Sequence, residues 1–394
     1  MRPFQYYMKT EVVFGPGSEE QTAALVRKHG GSRVLVVYGG GSCVRSGLLD
    51  RICGQLKEAG IFHETFGGVQ PNPRLAHART GVDRAKAMEA DLILAVGGGS
   101  VIDTAKAIAH GVANPEIDIW EFWMKRAELN KSLPVGVVLT IPAAGSETSN
   151  SAVLTDEETQ NKRGLSSDLN RPAFAVLDPR LPATLPPYQV ACGVTDILMH
   201  TLDRYFNPVQ DNEISDAMAE ALLRVVLENG TKALANPGDL QAMSEIVWCG
   251  SLSHNGLTGL GGKGDFAVHQ LGHPLSAVYD VAHGASLSAV WQAWATAVAD
   301  ADGYVRFARF GRNVWGIAGL DDEATAKLAI EKQVAYFRAL GVPTNLQEMN
   351  VGPVDLELVS ELCSFGRSRT IGSFRVLDHA AIREIYEQAN QPQK

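Results

Sequence analysis

The sequence has few cysteines, and none of them form a metal-binding or redox motif. The five cysteines lie far apart along the 394-residue chain, and no Cys-x-x-Cys pair occurs. An odd, scattered set argues against a disulfide-stapled scaffold and against a zinc site built from thiolates. It favours a reducing compartment, so we expect a cytoplasmic protein.

Long apolar runs and an excess of positive charge are also missing. No stretch of 18 apolar residues is present, so no transmembrane helix is predicted. The formal net charge is -9, and an acidic surface repels phosphate backbones. We therefore expect small molecules as partners, rather than a membrane or a nucleic acid.

The first half of the chain alternates between short apolar runs and helical patterns. Strands are predicted at residues 33–38, 61–66, 91–96 and 135–141, and helices at 46–59, 75–88 and 101–111. Near-continuous apolar strands are typical of a parallel sheet that is covered on both faces. This order predicts an α/β, doubly wound, Rossmann-like domain.

The pattern changes at residues 178–188, which contain four prolines and indicate a domain boundary. Beyond this stretch the chain has mainly helical patterns, with helices predicted at 191–206, 214–228, 239–257, 285–299 and 322–340. We predict two domains, a dinucleotide-binding α/β domain over residues 1–186 and an all-α, metal-binding domain over residues 187–394.

One glycine cluster, Gly97-Gly98-Gly99-Ser100, lies between a predicted strand and a predicted helix. Unpaired N–H groups at a helix N-terminus bind phosphate, and residues without a β-carbon let a pyrophosphate approach the backbone. The pattern is neither a P-loop nor a complete GxGxxG fingerprint, and a simple tight turn is the alternative. Asp103, in the following helix, is either a ligand contact or an ordinary first-turn acid.

A second cluster, Gly39-Gly40-Gly41-Ser42, follows the first clear strand. Two such clusters at the carboxyl ends of parallel strands favour a ligand site, because ligands bind there in open sheets. NAD-specific sites often place an acid near this position to bind the ribose hydroxyls, and none occurs here. We therefore predict that NADP(H) is preferred over NAD(H). Arg45 either lies near the 2′-phosphate or is a solvated helix residue.

The helical half contains a cluster of histidines and an acid. Asp196 and His200 are four residues apart, as are His269 and His273, and His283 follows ten residues later. Residues at i and i+4 share one face of a helix. Three imidazoles and a carboxylate suit zinc or ferrous iron and leave a position for substrate. For each histidine taken alone, a packed or surface position without a metal is the simpler explanation.

These motifs together resemble the iron-containing (group III) alcohol dehydrogenases. The resemblance rests on residues 97–106 (GGGSVIDTAK), residues 142–149 (PAAGSETS) and the Asp-xxx-His, His-xxx-His and His-Gly series, and it spans nearly the whole chain. Residues 38–42 and 269–284 look most like the butanol dehydrogenase branch, whose members include NADPH-dependent aldehyde reductases.

The resemblance implies a role for individual residues. It places the metal ligands at Asp196, His200, His269 and His283, and a further histidine near the substrate at His273, which we predict to be catalytic. It implies cofactor contacts at Gly39, Gly40, Ser42, Gly97, Gly98, Gly99, Ser100, Asp103, Thr140, Ser146, Thr148, Ser149 and Lys162. It also implies a single Fe²⁺ or Zn²⁺ ion, and a homodimer.

We expect hydride transfer between the nicotinamide and an aldehyde or primary alcohol. Two alternatives remain: an enzyme of the dehydroquinate synthase or glycerol dehydrogenase kind, from the same superfamily, and a protein without catalytic activity. A phosphorylated substrate would need several basic residues near the metal, and only Arg204 and Lys263 are close in sequence. An intact ligand set argues against an inactive relative, because burying four unused polar groups is costly.

Overall fold

The computed structural model describes residues 1–209 and 211–391 of the chain. These residues divide into two units. We call Tyr7–Thr184 the α/β unit, and Met1–Tyr6 with the chain from Leu185 onward the helical unit. Within the described residues, no helix is both long and apolar enough to cross a membrane.

A six-stranded, fully parallel sheet is the centre of the α/β unit. Its strands occur in the spatial order β1-β8-β5-β4-β2-β3, and a separate antiparallel hairpin pairs β6 with β7. The strands are β1 (Glu11–Phe14), β2 (Arg33–Tyr38), β3 (Phe62–Phe66), β4 (Leu92–Gly97), β5 (Val135–Leu139), β6 (Ser151–Asp156), β7 (Asn161–Ser166) and β8 (Phe174–Leu177). The predicted parallel α/β architecture is confirmed.

The central strands are buried along their length, which explains their apolar sequences. All six residues of β4 and all five of β5 are buried, as expected where helices cover both faces of a sheet. The helices of this unit are α1 (Thr22–Lys28), α2 (Ser42–Arg45), α3 (Leu48–Glu58), α4 (Leu75–Ala87), α5 (Gly99–Ala113) and α6 (Ile119–Trp123). The helix predicted over residues 46–59 is shorter, because Gly47 has a left-handed φ of 70° and separates α2 from α3.

The helical unit contains nine helices among the described residues. They are α7 (Pro187–Tyr205), α8 (Glu213–Ala235), α9 (Leu240–His254), α10 (Ala267–Tyr279), α11 (His283–Val298), α12 (Val305–Asn313), α13 (Asp322–Leu340), α14 (Leu356–Cys363) and α15 (His379–Ala389). The predicted helix-rich second half is confirmed. Four of the nine helices, α10, α12, α14 and α15, were not among the five predicted.

A buried arginine anchors the end of α7, the longest helix to carry candidate ligands. Arg306 donates to the backbone oxygen of Tyr205 at 2.7 Å and forms two hydrogen bonds with the carboxylate of Asp216. Its guanidinium also lies 4.2 Å from the centre of the Tyr205 ring. A buried charge needs such a complete set of partners, so α12 holds α7 and α8 in a defined arrangement.

Candidate metal centre and cofactor-binding turns

The first two candidate ligands lie one turn apart on α7. Asp196 and His200 are both buried, with 3% and 5% of their surface exposed. His200 Nδ1 donates to the backbone oxygen of Asp196 at 3.0 Å, which leaves Nε2 to act as an acceptor or a ligand. The i,i+4 spacing therefore places both side chains on one face, as predicted.

The third candidate, His269, is in the first turn of α10. This helix contains Pro274, which has no N–H to donate to the carbonyl oxygen of Gln270, one turn earlier. The thiol of Cys363 donates to that oxygen instead, at 3.3 Å. The helix therefore continues through the proline, and His269 and His273 lie one turn apart on it.

The fourth candidate, His283, is the first residue of α11. The residue after it must be small, because a β-carbon at Gly284 would collide with the carbonyl oxygen of Cys192 on α7. This close approach brings the start of α11 against α7, one turn before Asp196. His283 Nε2 consequently lies 3.9 Å from Asp196 Oδ1.

Three of the four candidate side chains converge on one point, and the fourth, His283, lies beside them. Asp196, His200 and His269 each offer a ligand atom, and these atoms all lie within 4.8 Å of one another. His269 Nε2 is 3.6 Å from Asp196 Oδ1, beyond hydrogen-bonding distance. Within the described part of the chain, both atoms are buried and neither has a hydrogen-bond partner. Two unsatisfied buried atoms that can each offer a lone pair, and that face one another, fit a cation bound between them.

A second carboxylate, Asp203, sets the orientation of His269. Asp203 is 1% exposed, and its Oδ2 accepts a 2.5 Å hydrogen bond from His269 Nδ1. A histidine that donates through Nδ1 to a carboxylate presents Nε2 as a ligand, an arrangement common in metal sites. Asp203 was not among the site residues predicted from the sequence. Its position seven residues after Asp196, two turns along the same helix, was the available signal.

The electrostatics of the cluster favour a positive charge at its centre. Burial alone would lower the pKa of His269, but the carboxylates of Asp196 and Asp203 outweigh it and raise that pKa to about 9. Burial, followed by the positive charges of His269 and Arg204, lowers the pKa of His200 well below its usual value. Two buried carboxylates and one divalent cation sum to zero charge, so such a cation could replace the proton on His269.

His273 lies beside this cluster without being among its closest members. Its ring is 5.7 Å from the ring of His283 and is half-buried. The ring of His283 is 5.4 Å from that of His269. The structure therefore brings the predicted catalytic histidine to the edge of the cluster of candidate ligands.

In the α/β unit, both glycine turns occur at the carboxyl edge of the sheet. Strands β2 and β4 are parallel neighbours; Gly39 follows the first and Gly98 the second. A β-carbon at Gly98 would stand 2.8 Å from Cβ of Ile141, so this turn has no room for a side chain. Helix α5 begins at Gly99, and its free N–H groups face the same edge of the sheet.

The other turn leads into a short helix that bears an arginine. Gly41 has a left-handed φ of 105°, and α2 begins directly after it at Ser42. Around Gly40, no atom of the described residues other than Gly40 itself and its two chain neighbours lies within 4 Å of where a β-carbon would stand. The guanidinium of Arg45 lies over Gly41, with Nη1 3.2 Å from where a β-carbon of residue 41 would stand.

A buried network joins the loop over residues 142–149 to α5. Ser146 Oγ donates to Asp103 Oδ1 at 2.5 Å, and the backbone N–H of Val153 donates to Asp103 Oδ2 at 2.9 Å. Lys106 Nζ donates to the backbone and side-chain oxygens of Ser146, and burial lowers the pKa of Lys106 to about 8. Both Asp103 oxygens are therefore engaged with the protein itself, and the network shapes the loop.

The remaining predicted cofactor contacts lie around the same loop. Thr140 follows β5 and donates its N–H to the oxygen of Gly97 at 3.1 Å. Thr148 and Ser149 are buried within the loop. Lys162, on β7, is 8% exposed and donates to Asn72 Oδ1 at 2.9 Å, in the segment that follows β3. The structure thus connects Lys162 to the residues after a third parallel strand.

Two family descriptions match nearly the whole chain. Residues 9–179 match "Iron-containing alcohol dehydrogenase", and residues 190–390 match "Fe-containing alcohol dehydrogenase family, C-terminal". The first match covers most of the α/β unit and the second most of the helical unit. The family predicted from the sequence motifs is confirmed.

Individual relatives are similar over their full length. The chain is 37% identical to NADH-dependent butanol dehydrogenase A of Clostridium acetobutylicum, covering 99% of this chain and 100% of the relative. It is 34% identical to the NADPH-dependent aldehyde reductase YqhD of Escherichia coli, with the same coverage. The crystal structure of NADH-dependent butanol dehydrogenase A from Thermotoga maritima superposes with a TM-score of 0.95 at 32% identity, over 99% of both chains.

Proposed function

Because the chain belongs to the iron-containing alcohol dehydrogenase family, we propose that it is a metal-dependent, NADP(H)-linked aldehyde reductase. The reaction would transfer a hydride between the nicotinamide and an aldehyde or primary alcohol. One observation carries the proposal: the convergence of Asp196, His200 and His269, with two buried atoms that have no hydrogen-bond partner among the described residues. The names of the relatives, which are butanol dehydrogenases and an aldehyde reductase, support this substrate class.

The proposed metal ligands are Asp196, His200, His269 and His283. A set of three nitrogens and one oxygen suits Zn²⁺ or Fe²⁺ and leaves a coordination position for substrate. A bound divalent cation would supply Lewis acidity toward the carbonyl oxygen. Asp203 holds His269 in the tautomer that presents Nε2, and the backbone oxygen of Asp196 does the same for His200.

The α/β unit would bind the cofactor, which supplies the hydride. The N-terminus of α5 and the turn at Gly97–Ser100 provide N–H groups for the pyrophosphate. Ser146, Thr148 and Ser149 would line the bound cofactor from the loop over residues 142–149, and Lys162 would reach it from β7. The buried network of Asp103 and Lys106 holds that loop in place, so cofactor binding would need little reorganisation.

We propose His273 as the residue that returns a proton to the product oxygen. It is half-buried at the edge of the cluster, its ring 5.7 Å from that of His283, and histidine is the side chain that most often acts as a general acid or base. A histidine that is not a ligand keeps its proton-transfer capacity while the neighbouring rings bind a cation. This separates proton transfer by His273 from metal binding by His269, one turn away on α10.

We propose a preference for NADPH over NADH, which the relatives leave open because both cofactors occur in their names. The turn at Gly39–Ser42 has no acid that would repel a 2′-phosphate, and the Arg45 guanidinium lies over Gly41.

Replacing Arg45 by Gln should lower kcat/KM for NADPH about tenfold and leave the value for NADH within about twofold. Arg27 is an exposed arginine on α1, and Arg27→Gln is the matched control.

Phosphorylated substrates, as in the dehydroquinate synthase alternative, are not favoured. Arg204, the basic residue closest in sequence to the candidate ligands, donates to the backbone oxygens of His200 and Ser253 and to His254 Nδ1. It is therefore committed to the protein's own acceptors. We also propose that the protein is a homodimer, as the resemblance implies. The five free thiols favour a cytoplasmic location.

A panel of aldehydes of increasing chain length, assayed with NADPH and NADH, tests the function directly. Elemental analysis of the same preparation should find one Zn²⁺ or Fe²⁺ ion per chain. We expect consumption of NADPH that depends on aldehyde and stops after treatment with a chelator. Turnover that is unaffected by complete metal removal would refute the proposal.

A further inference from the structure

Two side chains outside the proposed ligand set pack directly behind His200. Arg204, one turn after His200 on α7, donates from Nη1 to the backbone oxygens of His200 at 2.8 Å and Ser253 at 3.0 Å. Its Nη2 lies 3.0 Å from Nδ1 of His254, at the end of α9. The arginine therefore connects the helix of the first two ligands to the last turn of a second helix.

His254 faces the imidazole of His200. The two ring centres are 4.0 Å apart, with an angle of 59° between the planes. Because a guanidinium offers only donors, His254 Nδ1 must accept this hydrogen bond, and the proton of the neutral ring is on Nε2. The bond from Arg204 thus fixes both the orientation and the tautomer of the ring that contacts His200.

Arg204 also contacts the helix of the third ligand. Its guanidinium is 4.8 Å from the centre of the Phe266 ring, and Phe266 comes three residues before His269. Phe266 has a left-handed φ of 54°, which is uncommon for an aromatic residue and requires support from its surroundings. Its ring lies 5.7 Å from the ring of His269. One arginine therefore touches the elements that carry His200 and His269.

We propose that Arg204 and His254 are positioning residues that hold the His200 imidazole in the orientation needed to retain the metal. This inference rests on the proposed function. Without His254, the ring of His200 would keep its hydrogen bond to the backbone oxygen of Asp196 and its contact with the ring of His269, 4.3 Å away, but would lose the ring packed against it from α9. The loss of a residue that orients a metal ligand typically weakens metal affinity about 10–100-fold.

The test uses full-length protein and measures the metal directly. His254→Ala and Arg204→Met should each release Zn²⁺ to a chelator about tenfold faster than the unmodified protein. In the Co²⁺-substituted protein, the visible absorption bands should shift in both variants, because the geometry around the ion changes. The double variant should lose the metal no faster than the worse single variant, since the two residues act as a unit.

Further variants separate the two contacts of His254 and control for folding. His254→Phe keeps a ring against His200 and should retain Zn²⁺ better than His254→Ala, which keeps neither contact. His63→Ala, a half-buried histidine on the edge strand β3, is the matched control and should release Zn²⁺ at the unmodified rate. Thermal unfolding of the metal-free proteins shows whether each variant folds; if Arg204→Met does not, the His254 variants decide.

The outcomes distinguish this inference from the proposed function. Metal release at the unmodified rate and an unchanged Co²⁺ spectrum in His254→Ala would overturn the inference alone. Equal acceleration in His63→Ala would also overturn it, because the effect would then be one of general stability. An unmodified protein that retains no stoichiometric metal would overturn the proposed function, and this inference with it.

Discussion

Each of the two units contains a deeply buried histidine. One has neutral hydrogen-bond partners and the other lies between carboxylates. His110, on α5, is bonded to the hydroxyl of Ser132 and the amide oxygen of Asn170, both at 2.8 Å. His269, on α10, lies between the carboxylates of Asp196 and Asp203. Burial lowers the pKa of His110 to about 4, whereas the carboxylates overcome burial and raise that of His269 to about 9.

This difference shows that burial alone does not identify a functional histidine. Burial keeps His110 uncharged, because its partners carry no charge that would offset it, and the residue connects α5 to the segment before β5 and to the segment before β8. Carboxylate partners prepare the position of His269 for a positive charge, either a proton or a cation. The chemistry of the partners therefore separates a structural role from a ligand role, and the following experiments test that separation.

The largest effect is expected from removing the imidazole of His269. His269→Ala should lose metal and activity together. Its affinity for the metal should fall further than the loss of about 100-fold that is typical when a residue supporting a ligand is removed. Metal content and turnover of the same sample measure both. His110→Gln is the matched comparison and should keep one metal ion per chain. Unchanged turnover in a metal-free His269→Ala preparation would contradict the ligand role.

A smaller effect is expected at His273, one turn further along α10. His273→Gln should lower kcat about 100-fold, a typical contribution of a general acid, while metal content stays at one ion per chain. KM should change little, because the residue would act on the proton rather than on substrate binding. Loss of metal in this variant would instead make His273 a ligand and overturn its separation from His269.

At Asp203 the charge can be separated from the hydrogen bond. Asp203→Asn keeps an oxygen that accepts from His269 Nδ1 but removes the negative charge, and should weaken Zn²⁺ affinity about tenfold. Asp203→Ala removes both and should weaken it about 100-fold. Competition with a calibrated chelator measures both affinities. Equal affinity of all three proteins would show that Asp203 supports the helix packing but not the ligand.

Much of the fold follows from local sequence patterns. The strands at Arg33–Tyr38 and Leu92–Gly97 are continuous apolar runs followed by glycine, and both appear at the centre of the sheet. The edge strand β1, the hairpin of β6 and β7, and the buried strand β8 were missed. Strand β8 has only four residues, too few to show a clear pattern. Edge strands and hairpins are only partly buried, so their sequences have little apolar periodicity to detect. Helix α10 was not predicted because Gly272 and Pro274 interrupt its pattern, and its continuity depends on a tertiary bond from Cys363.

The candidate site was predictable where a regular helix sets the spacing. Asp196 and His200 needed only the i,i+4 rule, whereas pairing them with His269 and His283 required the family resemblance. His254 could not have been connected to Arg204 and His200 from the sequence, because residues 50 or more apart meet only through the packing of α7 against α9. Supporting residues are therefore the part of this site that depends most on tertiary structure.

The smallest effect concerns stability and returns to His110. Its pKa is lowered in the folded protein to about 4 from an ordinary value of 6.5, so between these values the unfolded chain binds more protons. Stability is therefore fully present above pH 6.5 and is lost as the pH falls toward 4. The expected loss between pH 7 and pH 5 is about 2 kcal/mol.

Urea unfolding of metal-free protein at pH 7 and pH 5, followed by fluorescence, measures this loss. His110→Gln cannot titrate, so its stability should fall by about 2 kcal/mol less than that of the unmodified protein over the same interval. Its metal content at pH 7 should not change, because the neutral partners of His110 provide no reason for a cation to bind there. If both proteins lost the same stability between pH 7 and pH 5, His110 would not be held neutral in the folded protein. The contrast between His110 and His269 would then be wrong in what it says of His110.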